Sequence, residues 1–426
     1  MHPELTEQER FPILTPNGRE FLYQMRQHSC APIWNWPNGE QLNEQGLQLV
    51  NEFYRDLRSR SGEESLAQPK WLDEYVERCL KEVPFYRQRS RLGTKFDDLP
   101  SCSRQDLAPR VWDFVPDDMP LEELITFSSS GTTGYPTRTA HHPFSAACGV
   151  PLLEYALQEL HGLSLLRGTD RVAILNLAAF PEATTTAIVV AFLEEAGCIR
   201  VNLDTAAWRS TEHRSEYINH WRAPIWLGDP IAFRAMEQIA IDHQPQAILS
   251  SIMHLNDSYA DHLRRKYGCP VIDLYAMTEA GIIAARTSRG HRILPHDLFV
   301  EILDASERPC PPGVRGEITL TGGRNPFLPL LRYRTGDFAA LDILDGHRTL
   351  INFAGRKPIE YATQSGKIVH SMEVIRLMRR YPIAHYSVKN ITPNTYELSI
   401  QGDVDRWAFE QEVRSLLGQS TDIHYE

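Results

Sequence analysis

The sequence predicts an α/β protein: a large multi-layer amino-terminal unit with parallel sheets and a small barrel-like region, then a small α+β unit. Three observations carry this. Short apolar runs alternate with helical stretches between residues 171 and 275, the pattern of a mainly parallel sheet. The apolar runs at 299–303, 316–321 and 338–341 have no helix between them, which suits an antiparallel or barrel-like region. After Gly355 come a helix, a hairpin and a second helix, in a stretch whose nine basic and nine acidic residues cancel.

The elements follow in order. Leu47, Val50, Tyr54 and Leu57 recur at helical spacing, as do Trp71, Leu72, Tyr75, Val76, Cys79 and Leu80, and Pro84 is expected to end the second helix. A stretch rich in Pro and Asp at 97–120 leads into a strand at 124–127. RVAILNL at 171–177 reads as a buried strand, and 184–196 as a helix closed by Gly197. Further strands are expected at 199–203, 224–228, 246–251 and 270–275, with helices at 212–221 and 259–267. Beyond the hinge region, 371–380 reads as a helix stopped by Pro382, and 384–391 with 396–401 as a hairpin. Asp405 then caps a helix that buries Phe409, Val413, Leu416 and Leu417 and ends at Gly418. The expected domains are residues 1–354 and 355–426.

Composition excludes several functions. Of the 426 residues, 44 are Lys or Arg and 55 are Asp or Glu, a formal charge of −11 with no basic tract. Such a balance argues against nucleic acid or an anionic membrane as the main partner. The longest purely apolar run, at 187–193, is far short of a membrane span. MHPELTEQER lacks the layout of a secretory signal, and seven dispersed cysteines without a C-x-x-C pair suit reduced thiols. A cytoplasmic enzyme or binding protein is expected. A metal site at His141-His142 lacks Cys or carboxylate at ligand spacing, and neither G-x-S-x-G nor H-E-x-x-H occurs.

Four segments carry chemistry. SSSGTTG at 128–134 directly follows a strand, where glycines let successive N–H groups and hydroxyls converge on phosphate oxygens; alone it also reads as a linker. DLYAMTEAG at 273–281 sets a tyrosine, a hydroxyl and a carboxylate at a strand end, suited to a base and Mg²⁺ or merely to solvent. RYRTGD at 332–337 places an Asp after a tight Gly turn, able to accept from vicinal ribose hydroxyls, beside arginines suited to phosphate; a surface turn is the ordinary alternative. Gly355-Arg356-Lys357 permits a hinge flanked by cations.

In this order the segments resemble the AMP-forming adenylating superfamily of acyl-CoA synthetases, and within it the phenylacetate–CoA ligase-like branch. SSSGTTGYPT at 128–137 resembles the phosphate loop and YAMTEAG at 275–281 the tyrosine–threonine–glutamate segment. RGEITLTGG at 315–323, LLRYRTGDF at 331–338 and AGR at 354–356 follow in family order. VPFYRQR at 83–89 and LPSCSRQDL at 99–107 resemble the branch's amino-terminal signature, so the likeness spans roughly residues 70 to 420.

The resemblance implies an ATP site in the large unit under a mobile carboxy-terminal lid. Ser129, Ser130, Gly131, Thr132 and Thr133 would cradle the phosphates, Glu279 would bind Mg²⁺, and Asp337 would hold the ribose. Tyr275 would lie against adenine beside Ala276, Met277 and Thr278, with Arg356 near ribose or phosphate. Thr133, Glu279, Arg334 and Lys367 form the expected catalytic set. A small, aromatic carboxylic acid would become an acyl adenylate, then pass to coenzyme A, a carrier-protein thiol or an amine. A nucleotide-binding protein with reduced chemistry is the remaining alternative, and a homodimer is compatible with all of these.

The chain departs from the family pattern at four places. Tyr135 stands where many members have Lys, Ala276 where Gly is common, and Ser250-Ser251-Ile252 where a Gly-Gly-Glu-like turn is expected. No lysine follows Lys389, so the family's lid lysine is expected to be missing, with Lys367 as its substitute.

Overall fold

The structure is a computed structural model describing residues 5–60, 64–128, 138–180, 183–295, 297–353, 360–364, 366–378, 380–392 and 394–425. The chain forms two compact units, neither contiguous in sequence. One comprises Met1–Ile13, Gly39–Ser164 and Leu274–Lys357; the other Leu14–Asn38, Leu165–Asp273 and Pro358–Glu426.

The second unit holds the parallel sheet. Val172–Ala178 lies between Ala196–Asn202 and Ile225–Gly228, and Ala247–Ser250 and the start of Val271–Met277 extend it, all parallel. Helix Glu212–Trp221 stands where it is expected, burying Tyr217 and Ile218. A helix that the sequence reading missed, Pro230–Met236, starts on an ordinary signal: Asp229 accepts a bond from the Ala232 N–H at 2.8 Å, and Pro230 takes the first helical position.

The helix expected at 184–196 is not there. Thr186–Val190 is a strand, antiparallel to Ala196–Asn202, and the chain reverses through a short 3₁₀ turn, Ala191–Leu193. Three threonines followed by Ile188, Val189 and Val190 lose rotamer freedom in a helix and suit a pleated sheet. Glu194 and Glu195 adopt left-handed φ of 55° and 67° to make the turn. The Glu195 carboxylate accepts from the backbone N–H and the hydroxyl of Thr15. Gly197 is therefore not a helix stop. It admits Met25, whose sulfur would sit 2.7 Å from an added Cβ.

In the same unit, helix Ser371–Met378, the hairpin Ile383–Thr392 with Thr395–Gly402, and helix Arg406–Leu417 build a small core around Leu377, Leu398, Phe409 and Val413. Asp405 caps the last helix and Gly418 follows it, as its sequence indicates. Asp422–Tyr425 adds a parallel strand to Thr395–Gly402. Arg234 pairs with Asp403 at 2.9 Å and the Asn256 amide donates to the Met378 carbonyl at 2.6 Å, tying this segment to helices earlier in the chain.

Ile252 follows the strand Ala247–Ser250 with φ at 76° and 71% of its surface exposed. A β-branched residue pays about 1–2 kcal/mol in that region, more than glycine loses in chain entropy. Ile252→Gly is expected to raise stability by about 1 kcal/mol in a denaturant titration; unchanged or lower stability would remove the strain assignment.

The first unit is built on antiparallel strands. In spatial order these are Leu298–Leu303, Gly316–Gly322, Leu330–Leu344, His347–Ile351, His291–Ile293, Gly281–Arg286 and the end of Val271–Met277. Leu330–Leu344 is long enough to pair with Gly316–Gly322 along its first part and His347–Ile351 along its last. Helix Leu72–Glu82 buries Leu72, Val76, Cys79 and Leu80 in a core that also contains Leu330 and Tyr333. Pro84 ends that helix and opens the next, Pro84–Arg89, because proline costs nothing at a first helical position. Helix Glu44–Ser59 buries Val50, Phe53 and Leu57. Among the described residues no helix is long and apolar enough to cross a membrane. None of the seven cysteines, all of them among the described residues, forms a disulfide.

Candidate active site

Two segments of the first unit meet here. Val271–Met277 turns at Thr278, Glu279 and Ala280 and returns as Gly281–Arg286, with Met277 opposite Gly281. The second segment is a bulge in Leu330–Leu344. Glu317 and Thr319 face Phe338 and Arg334, so three residues, Thr335, Gly336 and Asp337, stand where the ladder would take one. Gly336 supplies the positive φ, 80°. The Thr335 hydroxyl donates to the Ile318 carbonyl at 2.9 Å and accepts from the Asp337 N–H at 3.0 Å. Asp337 is thereby lifted out of the sheet and held.

A reciprocal brace joins the segments. The Tyr275 hydroxyl donates to Asp337 Oδ2 at 3.0 Å, and the Tyr333 hydroxyl donates to Glu279 Oε1 at 3.0 Å. Each segment thus supplies one phenol and one carboxylate. Burial, reinforced by the neighbouring carboxylate charge, pushes both phenols above the ordinary tyrosine range, so both stay protonated donors. The Tyr275 ring also meets Phe353 edge-on at 4.8 Å. Tyr333 lies inside a motif the sequence singled out, yet its tie to Glu279 needs a contact 54 residues away in the chain.

Arg334, expected to face phosphate, has its guanidinium on Glu317, with Nε at 2.8 Å from Oε2. Glu317 Oε1 also accepts the Gly336 N–H at 3.0 Å, so this pair steadies the bulge that carries Asp337. Glu317 had no signal in the sequence beyond its place in RGEITLTGG. Lys367 belongs to the other unit, where it is exposed, with its Nζ 3.8 Å from a Glu373 oxygen. Ser129, Ser130, Gly131, Thr132, Thr133 and Arg356 lie outside the described residues.

A cavity of about 280 Å³ opens beside the brace. Ala276, Met277, Thr278 and Glu279 line it from one segment, Phe127, His141, Cys148, Gly149 and Leu152 from others, and Arg324, Asn325 and Leu328 from a third stretch of chain. Gly149 has open space where a Cβ would stand. His141 is buried, its Nε2 2.9 Å from the Thr139 hydroxyl and its Nδ1 accepting from the Asn325 amide at 3.2 Å. Burial lowers it to about 4, so it is neutral near pH 7. His142 turns instead to Glu123, at 2.7 Å.

Glu279 is 5% exposed, and among the described residues it has no basic partner within ion-pair distance. A buried carboxylate needs compensation. Among the described residues no three His, Cys, Asp or Glu side chains gather as a metal site. One carboxylate at a cavity wall suits Mg²⁺, which keeps waters and binds through one or two carboxylates plus substrate phosphates.

A model of the AMP-binding enzyme family matches residues 97–325, more than half of the chain. No curated protein sequence matches. Among solved structures, 2-hydroxyisobutyryl-CoA ligase in its postadenylation state is 15% identical over 83% of this chain and 84% of that one, with a TM-score of 0.60. The same ligase with an acyl-AMP and CoA, in the thioesterification state, is 15% identical over 90% of this chain and 86% of that one, at 0.53. The anthranilate CoA ligase AuaEII with anthranoyl-AMP is 16% identical over 73% of this chain and 64% of that one, at 0.51. At these identities the likeness speaks to a shared fold. With the family match spanning the strand–turn segment of Glu279 and the cavity walls, this chain belongs to the AMP-binding enzymes.

Proposed function

We propose that the protein activates a small, aromatic carboxylic acid with ATP and transfers the acyl group to coenzyme A. An acid oxygen attacks the α-phosphorus, the bond to the bridging oxygen breaks, and pyrophosphate leaves with the electron pair. The thiolate of coenzyme A then attacks the acyl carbon and AMP departs. The observation that carries this reading is the brace, which ties Asp337, through Tyr275, to the segment whose Glu279 lines the cavity. Asp337 accepts from the ribose hydroxyls, Tyr275 borders adenine, and Ala276, Met277 and Thr278 line the path to the acid. The hydroxyls and N–H groups of Ser129, Ser130, Gly131, Thr132 and Thr133 take the phosphates, and Arg356 serves ribose or phosphate. Mg²⁺, held by Glu279, would neutralise charge growing on the phosphate oxygens. Arg334 acts through the bulge. A fold shared with a ligase captured with both acyl-AMP and CoA supports the acceptor.

Residues 355–426 are read as a lid turning about Gly355, with Lys367 brought to the reacting carboxylate. Lys367→Ala is expected to slow acyl-adenylate formation at least about 10-fold while sparing thioester formation from synthetic adenylate. Equal losses in both steps would remove Lys367 from the first. The overall reading is tested by ATP–pyrophosphate exchange across a panel of acids, then AMP release with and without coenzyme A. No exchange with any acid refutes it, and exchange without coenzyme A-dependent turnover refutes the acceptor.

A further inference from the structure

Gly149 is a glycine that neither the backbone nor the packing of this chain asks for. Every other glycine among the described residues has a reason to lack a side chain. Some take a left-handed φ, as Gly162 at 64° and Gly336 at 80° do. In the rest an added Cβ would strike a neighbour at 3.1 Å or closer, as at Gly18, Gly197 and Gly228. Gly149 takes no such φ. Beyond its chain neighbours and its own helix backbone, no described atom lies within 4 Å of the place its Cβ would occupy. It stands in a helical run, because Cys148, with φ −60° and ψ −13°, joins Pro143–Ala147 to Gly149–His161. A glycine there costs stability relative to alanine, since it loses more chain entropy on folding.

The room left open belongs to the cavity. Ser145, Gly149 and Leu152, four and three residues apart along the run, all line it. They share one helical face, and a side chain at 149 would project from that face into the space between the other two. Phe127 and Leu328 add apolar surface to the lining, and His141 and Asn325 add polar groups that already bond each other at 3.2 Å. At about 280 Å³ the cavity is just below the usual range of about 300–1,000 Å³ for ligand pockets. In a space of that size one added side chain removes a material fraction of the room.

We infer that Gly149 determines which acids are accepted: the space its missing side chain leaves receives the body of the substrate. The site therefore takes a ring-bearing carboxylic acid, and a side chain at 149 turns selection toward short aliphatic acids. The inference rests on the adenylation reading for what happens to the acid, but not for the binding itself. The stability forgone at this helix position is the counterpart of the room it leaves.

Benzoate and 4-methylbenzoate, set against propanoate and butanoate in ATP–pyrophosphate exchange, test this. The wild-type protein should favour the ring acids. Gly149→Val should lower the ring-to-short ratio of kcat/KM by about 10–100-fold, the scale on which a pocket senses a methylene group. Gly149→Ala should shift the ratio the same way by less, and should melt at or above the wild-type temperature. A wild-type preference for the short acids, an unchanged ratio in Gly149→Val, or equal losses for all four acids overturns the inference. So does weaker ATP binding with the ratio unchanged, because a nucleotide would then fill the space. A Gly149→Ala protein that melts below the wild type overturns it too, since the glycine would then serve packing. Should no acid support exchange, the adenylation reading fails, and calorimetry with benzoate alone decides here. Binding that Gly149→Val abolishes supports the site, and equal or absent binding refutes it. Should Gly149→Val fail to fold, Gly149→Ala and Gly149→Ser carry the comparison.

Discussion

Glu279→Gln is expected to slow acid-dependent ATP–pyrophosphate exchange by about 10²–10³-fold, the cost of removing one group that stabilises charge in a closed site. The substitution keeps size and leaves an amide oxygen that can still accept from the Tyr333 hydroxyl, now 3.0 Å from Oε1. Packing is therefore spared and the loss reports on charge. Tyr333→Phe makes the opposite cut, keeping the carboxylate and deleting the donor, and should cost less than 10-fold in rate. Titration of Mg²⁺ in both variants separates the roles. A Glu279→Gln enzyme with wild-type exchange and Mg²⁺ dependence would remove Glu279 from the chemistry.

The second large effect concerns Asp337. Asp337→Ala should weaken ATP binding by about 10–100-fold, since hydrogen bonds to a charged group contribute about 1.5–3 kcal/mol. It also strands the buried Tyr275 hydroxyl, which now donates to Oδ2 at 3.0 Å. Tyr275→Phe controls for that, because it breaks the brace while keeping the acceptor. Dideoxy-ATP adds a check from the ligand side: it should bind the wild type weakly and bind Asp337→Ala no worse than ATP does. If the variant still discriminates ATP from dideoxy-ATP, the ribose is held elsewhere.

Much of this architecture was legible before the structure. Helices Glu44–Ser59, Leu72–Glu82 and Arg406–Leu417 each combine a periodic apolar stripe with a recognisable start or stop. The misread segment, 184–196, is apolar and ends near a glycine, features shared by a buried helix and a buried strand; its β-branched run and the partner strand decided the outcome. Pro230–Met236 is too short for periodicity, although its Asp-Pro start was visible. At the candidate site, local motifs singled out Tyr275, Glu279 and Asp337 but could not reveal which phenol bonds which carboxylate. Glu317 and Gly149 were beyond sequence reasoning for the same reason. Their meaning lies in a bulge and a cavity assembled from distant segments, whereas a motif reports only neighbours in the chain.

The paired phenols have one further consequence. Asp337 and Glu279, the carboxylates proposed for sugar and for metal, hang on a single truss whose two ties run in opposite directions between the same pair of struts. Slackening either tie loosens the joint between both struts, so each single Tyr→Phe change is expected to touch both proposed grips slightly rather than one alone. A lineage seeking a different nucleotide could not retune one grip in isolation; it would have to rebuild the joint as a whole.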